Sequence, residues 1–238
     1  MVLADPPYGQ TACAWDSAIP LAPLWEQLKR VIKPNGAIVL FGSQPFTSVL
    51  ITSNLPMFKH CWVWRKSCGA GFLNAQNAPI KYHEDITVFS FGATANRSKR
   101  RMNYNPQGLK RISSKQHNRR RDQLSDTVGT RPSRVGNYVQ EFKGFPTTVL
   151  DFPNERQMLH PTQKPVPLLS YLIRTYTHKG DTVLDFCMGS GSTLVACIEE
   201  GRNGIGIERD AGYFEIARKR IEQEQTKPRT MRMELAPP

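Results

Sequence analysis

The sequence predicts an α/β protein in which short apolar strands alternate with amphipathic helices. The run 37–41, Ala-Ile-Val-Leu-Phe, is apolar throughout, as is typical of a strand covered on both faces. Residues 21–32 carry apolar side chains at helical spacing, and residues 183–193 combine a strand, a glycine-rich turn and a helix start. Regular alternation of such elements indicates a sheet with helices packed on it.

The first part of the chain, residues 1–91, contains most of the predicted catalytic elements. Strands are expected at 2–4, 37–41, 61–64 and 85–91, helices at 21–32 and 45–53, and a loop at 69–79. The triplet Pro34-Asn35-Gly36 ends the first helix, because proline cannot continue a helix and glycine favours its end.

Regular α/β patterning returns near residue 157 and continues to about residue 225. Pro165 and Pro167 suit the start of a helix, and Gly180 and Gly201 suit helix ends. The expected order is a helix from 165, a strand at 182–186, a helix at 192–200, a strand at 203–207 and a helix at 210–223. Residues 226–238 are expected to form a flexible tail.

The length of 238 residues allows a substantial core in one or two domains. The sequence has no apolar run long enough to cross a bilayer and no charged-then-apolar leader, so we expect neither a membrane span nor a signal peptide. The five cysteines lack CxxC spacing. They predict reduced thiols in a cytoplasmic protein and no zinc or other metal site.

The positive charge of the chain is concentrated in one segment. Residues 97–134 contain twelve Arg and Lys residues against two Asp residues, which is a net charge of +10 out of the total of +12. Helical and strand periodicity is lost over about 92–156, and aromatic residues are interleaved with the charge. A disordered basic loop is the alternative, but phosphate and base contacts favour a nucleic-acid-binding region. The predicted contacts are Arg97, Lys99, Arg100, Arg101, Arg119, Arg120 and Arg121.

The stretch Asp5-Pro6-Pro7-Tyr8 directly follows the first strand. Two prolines give a stiff backbone with carbonyl acceptors and without N–H donors. Asp5 adds a carboxylate and Tyr8 a flat ring, so a planar heterocycle with an amino group could stack on Tyr8 and donate to Asp5 and the Pro6 carbonyl. The alternative is a rigid turn without a catalytic role.

The glycine-rich turn at 187–191 lies between a strand that ends near Asp185 and a helix start. It lacks the lysine of a phosphate-binding P-loop and the spacing of a dinucleotide fingerprint. Asp185 suits a cation such as an α-ammonium group, and Glu208, at the end of the next strand, suits ribose hydroxyls. An amino-acid nucleoside without phosphate, S-adenosylmethionine (SAM), fits both carboxylates.

With these residues in view, the chain resembles the β-class SAM-dependent DNA amino-methyltransferases. The similarity covers about 1–91 and 157–224 and rests on three ordered motifs: Asp5-Pro6-Pro7-Tyr8, His160-Pro161-Thr162-Gln163-Lys164-Pro165, and Phe186-Cys187-Met188-Gly189-Ser190-Gly191. The resemblance implies a Rossmann-like, mostly parallel sheet, circularly permuted so that the catalytic half comes first. It further implies a catalytic half at 1–91, an irregular basic target-recognition insert at 92–156 and a SAM-binding half at 157–225.

The resemblance also implies the roles of individual residues. Asp5, Pro6, Pro7 and Tyr8 would be catalytic. SAM would be bound by Asp185, Phe186, Gly189, Gly191, Thr193 and Glu208, with His160, Thr162 and Lys164 at its methionine end. The expected partner is double-stranded DNA, in restriction–modification, with a homodimer as a possible assembly. The motif DPPY usually accompanies adenine-N6 methylation in this family, and SPPY accompanies cytosine-N4 methylation.

Three alternatives remain open from the sequence: cytosine-N4 methylation, RNA methylation, and a nucleic-acid-binding remnant of a shortened methyltransferase. Only four residues precede Asp5, whereas the family has a strand, a Gly-Asp pair and a helix there. We therefore expect a missing neighbour strand, an exposed sheet edge, an open cofactor-adenine pocket and an upstream coding segment that supplies them. His83-Glu84 is interpreted as a structural contact, with a catalytic pair as the alternative.

Overall fold

The computed structural model describes residues 1–9, 17–96, 98–118, 138–155, 159 and 163–227. Five α-helices occur in these ranges: α1 (Leu21–Val31), α2 (Phe46–Ser53), α3 (Val166–Tyr176), α4 (Ser192–Glu200) and α5 (Ala211–Thr226). Within this part of the chain, no helix combines the length and the apolar character needed to cross a membrane.

The same ranges contain nine strands and one 3₁₀ turn at Phe72–Asn74. The strands are β1 (Val2–Ala4), β2 (Ile38–Gly42), β3 (Phe58–Ala70), β4 (Lys81–Phe89), β5 (Lys110–Asn118), β6 (Tyr138–Lys143), β7 (Val149–Asp151), β8 (Thr182–Asp185) and β9 (Asn203–Gly206).

Seven of these strands form one sheet in the order β7-β3-β4-β2-β1-β8-β9. The pairs β1–β2, β1–β8, β8–β9 and β3–β7 are parallel, and only β4 runs against its neighbours β2 and β3. The sheet is therefore mostly parallel, with the half that contains β1 to β4 first in the chain. This confirms the predicted fold class.

The first strand lies inside the sheet. β1 has a parallel neighbour on each side, since Val2 pairs with Ile38 of β2 and with Leu184 of β8. The prediction of an exposed edge caused by a missing neighbour of this strand is therefore wrong, because the chain returns through α3 and places β8 beside β1. Among the described strands, the edges of the main sheet are β7 and β9.

Helices cover both faces of the sheet, which explains the uninterrupted apolar run of β2. Its alternate residues Ile38 and Leu40 enter a core cluster with residues of α1 and α2. Val39 and Phe41 point to the opposite face and join a cluster with residues of α3 and α4. Because successive side chains of a strand point to opposite faces, a strand buried on both sides must be apolar at every position.

The predicted element boundaries differ most in β3 and in the basic segment. β3 extends to Ala70, into the predicted loop, because its polar second half pairs with β4. Within 92–156, β5 and β6 form an antiparallel pair, and β7 joins the main sheet beside β3. β5 has a single apolar residue, and the three apolar or aromatic residues of β6 do not alternate strictly with polar ones, so neither sequence shows the pattern that predicts a strand.

Candidate active site and cofactor cavity

A cavity of about 650 Å³ lies at the carboxyl ends of β1, β8 and β9. The DPPY stretch follows β1, and the glycine-rich turn follows β8, its immediate neighbour in the sheet. Because the two strands are parallel and adjacent, motifs that are about 180 residues apart in the sequence line the same space. Ligands of open α/β sheets bind at this edge of the sheet.

Most of the predicted site residues that the structure describes line this cavity. They are Asp5, Pro7, Lys164, Asp185, Phe186, Gly189, Thr193 and Glu208. Pro6, Tyr8 and Gly191 are close in sequence to lining residues but are not part of its lining. His160 and Thr162 lie outside the described residues, so their predicted contacts with the cofactor stay predictions.

The Asp5 carboxylate is held by two side chains. The Tyr8 hydroxyl donates a hydrogen bond to Oδ1, and the Lys164 ammonium forms an ion pair with Oδ2. Burial raises the pKa of Asp5, and the positive charge of Lys164 opposes that rise. Lys164, predicted at the methionine end of the cofactor, lines the cavity, and its ammonium contacts Asp5 of the catalytic motif. Its contact with the cofactor stays a prediction.

Tyr8 has both a polar and an aromatic contact. Burial, together with the negative charge of Asp5, raises the pKa of Tyr8 well above its usual value, so the phenol stays protonated and donates. Its ring stacks on Phe46 of α2, with ring centroids 5.0 Å apart and an interplanar angle of 26°. The packing of the ring against Phe46 helps to fix its orientation.

The glycine-rich turn is tied to three other parts of the site. The Gly189 N–H donates to Glu208 Oε2 at 2.9 Å, and the Cys187 thiol donates to the Asp5 carbonyl at 3.2 Å. Arg220 of α5 donates to the carbonyl of Ser190 at 3.2 Å and to the hydroxyl of Ser192 at 2.8 Å. These contacts fix the turn relative to both β1 and β9.

Gly191 shapes the turn rather than lining the cavity. It has φ +78° at the N-cap of α4, and an added Cβ would lie 3.0 Å from the Cβ of Ala217 in α5. A left-handed backbone and close packing therefore both favour glycine here.

We expect Gly191→Ala to lower the free energy of unfolding more than Gly201→Ala does. Gly201 ends the same helix with φ +67°, but nothing lies within 4 Å of its added Cβ. Gly201→Ala should therefore show only the left-handed backbone penalty, about 1–2 kcal/mol, whereas Gly191→Ala adds a steric term. Urea denaturation of both variants without ligand measures the difference. Equal losses would contradict the packing argument.

Asp185 is a buried carboxylate that faces the cavity. It accepts a hydrogen bond from the Cys187 N–H at 3.1 Å, and within the described residues it forms no ion pair. Burial raises its pKa to about 7, while a hydrogen bond from Thr193 opposes the rise. A buried acid without a cation is unfavourable by itself, so a cationic ligand group would stabilise its ionised form.

Glu208 is also oriented by backbone donors. Its Oε2 accepts the N–H of Gly189, and its Oε1 accepts the N–H of Asp210, each at 2.9 Å. Each oxygen has a second lone pair, so the carboxylate can still accept two hydroxyl groups from a ligand in the cavity.

The sequence did not predict that Glu84 and Lys66 belong to the charged network around Lys164. Glu84 lies 3.3 Å from the Lys164 ammonium and also pairs with Lys66 of β3. His83 is exposed on the other face of β4, so the structural contact interpreted for His83-Glu84 is found at Glu84 and not at His83. The alternation of β4 could have separated these two residues, but nothing local in the sequence indicates the contact with Lys164.

The predicted nucleic-acid contacts are only partly described. Lys99, Arg100 and Arg101 are exposed, while Arg97, Arg119, Arg120 and Arg121 lie outside the described residues. The β5–β6 pair adds the exposed Lys110 and Lys143, which lie opposite each other. Among the described residues, no group of His, Cys, Asp and Glu side chains is arranged to hold a metal ion.

The fold and the cavity define an α/β methyltransferase that uses SAM. The N6_N4_Mtase family, described as DNA methylase, matches residues 1–219, and the chain belongs to this family. This confirms the predicted class, a SAM-dependent DNA amino-methyltransferase, without deciding between adenine and cytosine as the target.

Individual relatives agree with this assignment. The chain is 27% identical over 237 residues to the type II methyltransferase M.HpaI of Haemophilus parainfluenzae, with 94% of this chain and 68% of the relative covered. It is 29% identical over 250 residues to M2.DpnII of Streptococcus pneumoniae, with 94% and 82% covered. The structure of the cytosine-N4-specific PvuII DNA methyltransferase aligns with a TM-score of 0.61 and 14% identity over 98% of this chain and 82% of that one, which shows a shared fold.

Proposed function

We propose that this chain transfers the methyl group of SAM to the exocyclic N6 amine of an adenine in double-stranded DNA. The observation that carries the proposal is the juxtaposition of the Asp5 carboxylate, at the end of β1, with the buried Asp185 carboxylate and the half-buried Glu208 carboxylate in one cavity. Asp5 would accept hydrogen bonds from the target amine, and Asp185 and Glu208 would bind the cofactor.

The residues present fit SAM. A cavity of about 650 Å³ lies within the usual range for small-molecule sites. Asp185 would pair with the α-ammonium group, and Glu208 would accept the ribose hydroxyls, while Phe186, Gly189 and Thr193 line the same space. When bound, SAM supplies an electrophilic methyl group on a sulfonium centre.

The residues of the DPPY stretch would prepare the amine. The lone pair of an adenine amino group is delocalised into the ring, which makes the nitrogen a poor nucleophile. Hydrogen bonds from its N–H groups to Asp5 and to the Pro6 carbonyl favour a pyramidal nitrogen with an available lone pair. Placed acceptors of this kind contribute through alignment and electrostatics.

The target base must leave the duplex to reach Asp5, at an unstacking cost of roughly a few kcal/mol. Stacking on the Tyr8 ring would offset part of that cost. The pairing of Tyr8 with Phe46 supports this role, because a ring that is already fixed loses little freedom when a base binds.

Cytosine-N4 methylation is the second candidate, because the PvuII enzyme with that specificity has the same fold. Its amino group would need the same acceptors. The DPPY sequence favours adenine. The assembled cavity argues against a remnant that only binds nucleic acid, since such a remnant would not require the buried Asp185 carboxylate in a cavity that two further acids line.

The test is nucleoside mass spectrometry of DNA from cells that express the chain. N6-methyladenine above the level of cells that express Asp5→Asn supports the proposal. N4-methylcytosine would support the second candidate. Incubation of the purified protein with tritiated SAM and either duplex DNA or RNA separates the two nucleic acids as substrates.

Neutralising Lys99, Arg100 and Arg101 together to glutamine should weaken DNA binding for any sequence. If all three contact phosphates, the slope of log affinity against log salt should become shallower by about 2.7, since each contact contributes roughly 0.9. Fluorescence anisotropy at several salt concentrations measures the slope. The matched control neutralises Arg218, Lys219 and Lys227, which belong to α5 or its C-cap. An equal change in both triple variants would argue for a general charge effect.

A further inference from the structure

Four charged side chains of alternating sign form a continuous row that begins at Asp5. The Lys164 ammonium contacts Asp5 Oδ2 on one side and lies 3.3 Å from Glu84 Oε2 on the other. Glu84 Oε1 in turn contacts the Lys66 ammonium. The four residues come from the end of β1, the segment before α3, β4 and β3. Across the strands of the sheet, the row therefore extends from the cavity at β1 towards β4 and β3, in the direction away from β8.

The burial of this row requires an explanation. The side chain of Lys164 is 8% exposed, and those of Asp5, Glu84 and Lys66 are 19%, 15% and 17% exposed. One carboxylate and one ammonium would already balance each other at Asp5 and Lys164. Burial of the second acid, Glu84, and the second base, Lys66, adds a desolvation cost without improving that balance. By itself, this second pair therefore contributes little to the free energy of unfolding.

The geometry at Lys164 shows how the ammonium is shared. Its Nζ lies within ion-pair distance of both carboxylates. Within the described residues, however, Glu84 Oε2 accepts no hydrogen bond, so its contact with Lys164 is an ion pair without hydrogen-bond geometry. The Lys164 ammonium also lies 5.1 Å from the centre of the Phe41 ring. Because Lys164 lies between two acids and over an aromatic ring, its side chain has little conformational freedom, and its positive charge interacts with both carboxylates.

We propose that Glu84 is a positioning residue for methyl transfer, which shares the Lys164 ammonium with Asp5 and leaves Asp5 free to accept the target amine. Lys66 holds Glu84 in this role. The inference rests on the proposed function of Asp5. It adds a residue of β4 and a residue of β3 to the groups that govern the reaction.

Electrostatics supports this arrangement. The groups that face Asp5 are Tyr8 from its own loop, Lys164 before α3, Glu84 of β4, and Asp185 and Cys187 at the end of β8. Burial lowers the pKa of Lys164, but Asp5 and Glu84 together outweigh burial and raise it. The negative charge of Glu84 also adds to the raised pKa of Asp5, after burial.

Two substitutions should shift the pKa of Asp5 in opposite directions. Glu84→Gln removes one of the acids that share the Lys164 charge and also removes the negative charge of Glu84, so the pKa of Asp5 should fall. Lys66→Met leaves Glu84 to compete more strongly for Lys164, so the pKa of Asp5 should rise. The double variant should resemble Glu84→Gln, because Lys66 acts through Glu84.

The measurement is the single-turnover rate of methyl transfer against pH, at saturating SAM and DNA. Glu84→Gln should move the acidic limb of the pH–rate profile to lower pH and reduce the plateau rate. Lys66→Met should move the acidic limb to higher pH. Both variants should keep the SAM affinity of the wild type. A purely structural role would change thermal stability without opposite shifts. Unshifted limbs, or limbs shifted in the same direction, would overturn the inference.

A titration without catalysis separates this inference from the proposed function. Carboxyl carbon NMR of the free protein, with Asp5 assigned by its loss in Asp5→Asn, reports the pKa of Asp5 directly. If the wild-type chain transfers no methyl group to DNA, the proposed function fails. Opposite shifts of this resonance in the two variants would still establish the Lys66–Glu84–Lys164–Asp5 coupling, and their absence would refute it.

Discussion

Replacing Asp5 with asparagine is expected to abolish methyl transfer while SAM still binds. The substitution keeps the size of the side chain, removes the negative charge, and replaces one acceptor oxygen with an NH₂ donor that cannot accept the N–H of the target amine. Loss of one placed group of this kind lowers turnover by roughly a hundredfold or more. Asp185 and Glu208, which would hold the cofactor, are unchanged. Turnover with tritiated SAM and isothermal titration calorimetry measure the two effects separately.

The matched control for Asp5→Asn is Asp151→Asn. Asp151 is also an acid paired with a base, Arg65, but its side chain is 59% exposed and it lies in the edge strand β7. This variant should keep wild-type turnover. If Asp5→Asn retained most of its activity, the assigned role of Asp5 would be wrong. If both variants lost activity equally, the loss would reflect stability instead.

Replacing Asp185 with asparagine is expected to weaken SAM binding by roughly a hundredfold, the effect of removing one member of a buried charge pair. The physical reason is that Asp185 is buried at the cavity without an ion pair in the described structure, and a ligand ammonium would provide the missing charge. Calorimetry with SAM measures the loss. An affinity equal to that of the wild type would place the ammonium group elsewhere.

The pH dependence of SAM binding provides a second test of Asp185. Its pKa of about 7 in the free protein means that the carboxyl group must lose a proton before it binds a cation. Affinity should therefore fall by up to about tenfold for each pH unit below 7. Asp185→Asn should lack this dependence. A wild-type affinity that is constant from pH 7 to pH 5.5 would contradict the assignment.

The same raised pKa predicts the effect on stability in the absence of ligand. A carboxyl group whose folded-state pKa exceeds its unfolded value stabilises the fold at low pH, and this contribution is lost as the pH rises through about 7. Asp185→Asn should consequently be more heat-stable than the wild type at pH 8 without SAM. The gain is up to a few kcal/mol, since one pKa unit corresponds to about 1.4 kcal/mol. Added SAM should reverse the order.

Local patterns in the sequence predicted most elements of the two α/β halves. α1 begins at Leu21 and β2 spans Ile38–Gly42, both close to the predicted bounds. Helical spacing and continuous apolar runs are properties of neighbouring residues, so they can be read without knowledge of the fold. The same holds for the positive φ of Gly189 and Gly191 in the glycine-rich turn, whereas the close approach of Gly191 to Ala217 is set by packing.

The basic segment shows where local reading fails. β7 has three residues, of which only Leu150 is buried, and it becomes a strand because β3 offers an edge with which it can pair. β5 and β6 likewise form through pairing with each other. Strand formation in short or polar segments depends on the strands with which they pair rather than on intrinsic β-propensity. The sequence of each segment alone therefore does not predict a strand.

The candidate site residues Asp5, Asp185 and Glu208 and the glycine-rich turn could be predicted from the sequence, because they lie at or just after the ends of predicted strands. Which of these groups lie together depends on the tertiary structure. The sheet order places β1 beside β8, which joins the two motifs at one cavity. The fold also brings Lys66, Glu84 and Lys164 into a row behind Asp5. Contacts between residues so distant in the chain are set by strand pairing and packing, and no local pattern encodes them.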